Sequence, residues 1–127
     1  MFYRILADTV LLLHLAFILV VVAGGLCALR WRWAPLVHVP MALWGMFIEV
    51  SGGICPLTPL ENELRRAAGS SGYSGGFIEH YLLPVIYPTG LTQPVQLLLA
   101  LVVLLANVIV YVFVWKRLKR AGDSLAA

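Results

Sequence analysis

The sequence has 127 residues, 61% of them hydrophobic and 12% charged, with a net charge of +3. Soluble domains carry about 25% charged residues, so a soluble fold would lack the polar surface to cover its core. The basic residues stand at helix ends rather than in a patch with aromatics, which argues against nucleic acid as a partner, and Cys27 and Cys55 have no CxxC or Cys/His spacing of a structural zinc site.

The first apolar stretch, about Ile5–Leu29, is too long for the core of a cleaved signal and runs into Arg30-Trp-Arg-Trp33. Indole and guanidinium groups there suit a membrane interface, so the stretch reads as a retained transmembrane helix. A second stretch, about Ala34–Ser51, opens on Pro35, which fits a helix first turn. It is short and carries His38, Pro40 and Glu49. The third, about Pro94–Trp115, holds 21 uncharged residues from Val95 to Trp115 and closes on Lys116-Arg-Leu-Lys-Arg120. These lengths and compositions predict an all-α membrane protein of three spans, about 5–29, 34–51 and 94–115, in one domain with a basic tail over 116–127.

Between the second and third spans, residues 57–68 predict a short amphipathic helix. Thr58 is its expected N-cap, Pro59 its first residue, and Glu61 has capping-box spacing. Leu60, Leu64 and Ala67 or Ala68 form its apolar side. A Gly/Ser connector follows over 69–76. Residues 77–87 are apolar and aromatic but too short to span, which predicts an interfacial or re-entrant segment. Arg30, Arg32 and the four cations of Lys116–Arg120 fall on one side. Arg4, Asp8, Glu61, Glu63, Arg65, Arg66 and Glu79 fall on the other. The positive-inside rule then puts the N-terminus outside, the C-terminus in the cytoplasm and residues 52–93 outside.

Each span carries one stripe of small and polar residues at seven-residue spacing: Ala7, His14, Val21 and Gly25; His38, Gly45 and Glu49 with Ala42; Gln96, Ala100, Asn107 and Tyr111. These read as packing seams, because polar side chains in lipid gain partners only by facing one another. Ionisable groups inside spans are also candidates for function. The candidate polar cluster is Asp8, His14, Glu49, Cys55, Glu61, Glu79 and His80 at the outer face, with His38 a secondary candidate. Asp8 and Glu49 are expected at similar depth. Structural alternatives stand beside each: His14 as a neutral imidazole bonded to Asn107, His38 bonded to a carbonyl or water, Cys55 as a small buried hydrophobe. If a metal binds, Glu49, His14, Glu79 and His80 are its candidate ligands; no cofactor is specified.

Ala7-Asp8 with His14, Gly24-Gly25, His38 with Trp44-Gly45 and Glu49, Cys55-Pro-Leu-Thr-Pro-Leu-Glu61, Gly76-Phe-Ile-Glu-His-Tyr-Leu82 and Tyr87-Pro88 with Gly90-Leu-Thr92 carry a resemblance. Over about residues 2–117 the chain resembles the small bacterial membrane proteins called domain of unknown function 2784. The resemblance implies a bacterial integral membrane protein and implies no activity. Three functional readings stay open. One is an accessory or assembly component of a larger inner-membrane system, docked to a membrane-protein partner. Another is a metal- or thiol-dependent redox enzyme using Cys55, His80, Glu79, Glu49, Asp8 and His14. The last is an ion or small-solute pathway along His14, Glu49 and His38, which needs a homo-oligomer because three spans are too few for a pore.

Overall fold

A computed structural model describes residues 1–72, 80–81 and 92–127. Within them the protein is all-α, with three helical segments long and apolar enough to cross a membrane. Helix α1 (Phe2–Ala23) continues into a 3-10 segment, Gly24–Leu29. Helix α2 covers Ala34–Ser51, α3 Leu57–Ala67 and α4 Gln93–Ala126. Large apolar side chains are exposed along all three long helices, among them Leu12, Leu19, Leu43, Phe47, Leu101 and Ile109. In water such surface would be driven together; in a bilayer it is the lipid-facing side.

What is buried is the seam. Ala7, His14, Val21 and Gly25 form one buried line on the first span. His38 and Ala42 are buried on α2, and Ala100, Asn107 and Val114 on α4. The seven-residue stripes are therefore where the helices meet. Gly45 packs on Val21, with a Cβ there reaching 3.3 Å from Val21 Cγ1, and Gly24 packs on His38. These two contacts make α2 antiparallel to α1.

The first span is not one regular helix. At Gly24-Gly25, a poor helix-forming pair, it tightens into six residues of 3-10 geometry, longer than such runs usually extend. The third helix runs on through the basic residues to Ala126 instead of ending near Trp115. Helix α2 stops at Gly52, whose φ of 66° is left-handed and whose N–H reaches back to the carbonyls of Glu49 and Ile48.

Candidate functional site

The stop at Gly52 leaves α2 short. Glu49 lies one turn beyond Gly45, about 6 Å past the level of Val21, whereas Asp8 lies 13 residues from Val21, about 20 Å away. Asp8 and Glu49 are thus not at similar depth, as the two span lengths alone imply; α2 ends near the middle of the first span. Helix α3 occupies the space this leaves. Among the described elements it packs on α1 alone. The Asp8–Arg65 pair and the field of Glu61 at His14 show that it runs antiparallel to α1.

Helix α3 differs from expectation in its cap and in its orientation. It begins at Leu57 after Pro56, with no side-chain cap bond. Thr58 lies inside the helix, 1% exposed, and Glu61 is turned forward to Arg65 instead of back to the Thr58 backbone. A charged partner is a stronger hold on a carboxylate than a backbone N–H. The buried side is Thr58, Glu61 and Asn62, facing the Ala7, Val10 and His14 line of α1. The leucines are on the other side, with Leu60 44% exposed. The helix therefore turns Thr58, Glu61 and Asn62 inward, and its outward side combines Leu60 with exposed Glu63 and Arg66.

The polar face holds a three-membered network. Glu61, 0% exposed, accepts at Oε1 from Arg65 Nε at 2.8 Å and from the Tyr81 hydroxyl at 3.0 Å. Arg65 Nη2 donates to Tyr81 Oη at 3.1 Å and lies 3.8 Å from Asp8 Oδ1. The Glu61 carboxylate raises the Arg65 pKa. Burial first, then the bond to Glu61, raises that of Tyr81. Asp8 is more than half exposed, so its pairing with Arg65 is a screened, weaker contact.

A raised Tyr81 pKa means that the fold favours the neutral phenol, the form that donates to Glu61. Its stabilising contribution is complete below the ordinary phenol pKa of about 10 and is lost as pH rises through the raised value. Unfolding midpoints taken across alkaline pH should show wild type ahead of Tyr81→Phe at neutral pH. The two curves should converge above about pH 10. A pH-independent gap would show that the hydroxyl proton is not what stabilises the network.

The other sequence candidates are placed as follows. Glu49 is on the inward stripe of α2, with Oε2 buried and without a hydrogen-bond partner among the described residues. Cys55 is a free, half-buried thiol in the turn before α3, where its carbonyl accepts from the Thr58 N–H at 2.9 Å. His80 is exposed, its ring edge-on to Tyr81 with centroids 4.7 Å apart. Glu79 and most of the interfacial or re-entrant segment lie outside the described residues. Among the described residues no three His, Cys, Asp or Glu side chains come together as a metal-holding group.

His38 belongs to a second junction, deeper in the bundle. Its Nε2 is 3.3 Å from the Val21 carbonyl and its Nδ1 2.7 Å from Tyr111 Oη. A carbonyl only accepts, so Nε2 carries the hydrogen and the tyrosine hydroxyl donates to Nδ1. Asn107 Nδ2 donates to the same Val21 carbonyl at 2.9 Å and to Val103 O at 2.8 Å. Its amide is committed there rather than to His14. One carbonyl at the edge of the 3-10 segment thus ties α1, α2 and α4 together.

Arg65 and Tyr81 are the network members that the sequence reading did not single out. The i,i+4 spacing of Glu61 and Arg65 is the signal that could have found Arg65; nothing local marks Tyr81. The chain matches no curated protein and no solved structure. One family model, described as protein of unknown function, matches residues 4–112. The chain therefore belongs to the DUF2784 family.

Proposed function

We propose that this protein is an accessory or assembly component of a larger membrane system, resident in a bacterial inner membrane with its N-terminus outside. The observation that carries this reading is how the polar side chains are used. Glu61, Arg65 and Tyr81 bond one another, and His38, Asn107 and Tyr111 bond across helices. They hold the chain's own elements in place, as a scaffold requires. What α3 offers outward is the exposed side chain of Leu60 beside exposed Glu63 and Arg66, an apolar centre with a charged rim such as a protein partner can meet.

Photo-crosslinking from position 60 in intact cells tests this, with position 101 on α4 as control. The expected product is one discrete protein adduct from position 60, also present as a stoichiometric component after purification in mild detergent. Lipid adducts alone from both positions would remove the reading. An adduct of twice the chain's own mass would point to a homo-oligomer. Glu49 favours a second reading, the ion or small-solute pathway, because its buried oxygen has no partner among the described residues. Loss of proton or cation flux in vesicles on Glu49→Gln, with the oligomer intact, would select that reading instead.

A further inference from the structure

At the basic end of the bundle a groove of about 280 Å³ runs between the 3-10 segment, the start of α2 and α4. Its apolar walls include Ala28, Val114 and Leu118. Tyr111 closes its deep end, and Arg32 and Trp115 stand at its lining. From Tyr111 to Leu118 it extends about 10 Å along α4. It opens where a bilayer interface would lie, since Trp31, Trp33 and Trp115 are exposed at this end. The exposed guanidinium of Arg32 has no ion-pair partner among the described residues. Lys119 Nζ stands 5.6 Å from the Trp115 ring. In sequence, Arg30, Arg32, Lys116, Arg117, Lys119 and Arg120 face only Asp123 as a negative charge at this end.

We propose that this groove is a binding site for an anionic phospholipid. One acyl chain lies along Ala28, Val114 and Leu118, and the phosphate is held by Arg32. The groove alone would accept any acyl chain; the unpaired Arg32 beside it selects the charged headgroup. A guanidinium meets a phosphate through two parallel N–H donors, and a cluster of basic residues next to a membrane helix attracts anionic lipid. The Tyr111 hydroxyl is already committed to His38, so the deep end presents ring carbon rather than a free polar group.

Native mass spectrometry of the full chain from nanodiscs of mixed phosphatidylglycerol and phosphatidylcholine tests the site. Wild type should retain one phosphatidylglycerol in preference to phosphatidylcholine. Arg32→Gln should reduce that preference on the order of tenfold, the scale of one charge-assisted contact. Arg120→Gln removes the same charge outside the groove lining and should reduce the preference far less than Arg32→Gln. Leu118→Trp, at an exposed position that tolerates a larger side chain, should displace the lipid by filling the groove. Equal losses from Arg32→Gln and Arg120→Gln would reduce the effect to general surface charge. Equal retention of the two lipids by wild type, or unchanged retention in Leu118→Trp, would overturn the proposal.

Discussion

Replacing Arg65 by methionine should destabilise the folded chain by about 3 kcal/mol, the lower end of what removing one partner from a buried ion pair costs, because the Arg65 side chain keeps 22% exposure and only Glu61 is fully buried. Methionine keeps most of the volume and the apolar stem, so lost packing is a minor part of the change. What remains is a carboxylate with no exposure that has lost a 2.8 Å charged donor, beside an apolar helix. Glu61→Gln should be milder, because the neutral amide oxygen still accepts from Arg65 and Tyr81 and no buried charge is left behind. The double variant Glu61→Gln, Arg65→Met should recover much of the loss in Arg65→Met. Unfolding midpoints of the full chain in one detergent measure all three. If the double variant is as unstable as the sum of the singles, Arg65 stabilises through packing, and the charge argument fails.

The difficulty of reading this network from sequence has a physical origin. The three seams were legible because lipid supplies apolar surroundings everywhere except between helices. A polar or small stripe at seven-residue spacing then has one place to go, and Ala7, His14, Val21 and Gly25 go there. Helix α3 shows the limit. Its periodicity marks two faces but does not say which solvent each meets. Read as a helix on the water side, Leu60 and Leu64 point inward and Thr58 caps. Set against the N-terminal half of α1, the same helix turns Thr58, Glu61 and Asn62 inward. Which case holds depends on where α2 ends, and that is fixed by a left-handed Gly52 that looks like any other loop glycine. The candidate cluster was similarly half legible. Asp8 and His14 are ionisable residues in apolar context and draw attention by that alone, whereas Glu61 stands among Asn62, Glu63, Arg65 and Arg66 and is marked only by its capping-box spacing from Thr58. Arg65 and Tyr81 resemble ordinary interfacial residues until α3 is folded back, and Glu49 is separated from Asp8 by a depth that span lengths do not reveal.

Gly24→Leu should be among the most damaging single changes in the first span, while Gly122→Leu near the end of α4 should leave stability almost unchanged. A Cβ at Gly24 would lie 2.7 Å from His38 Cδ2 and 2.9 Å from Val20 Cγ1, whereas one at Gly122 meets nothing within 4 Å. Overpacking of this kind costs about 1–3 kcal/mol when neighbours can shift. Here His38 is held at both ring nitrogens, by the Val21 carbonyl and the Tyr111 hydroxyl. Moving the ring aside sacrifices those bonds, each worth about 0.6 kcal/mol in a membrane interior, and loosens the junction that Asn107 shares. The smaller change Gly24→Ala isolates the clash. In a His38→Ala background only the contact with Val20 remains, so the alanine should cost less than in wild type, with an interaction energy of about 0.5–3 kcal/mol between the two sites. Equal costs in both backgrounds would show that Gly24 is needed for the 3-10 geometry rather than for the approach of His38. The Val21 carbonyl would then be positioned by the turn alone.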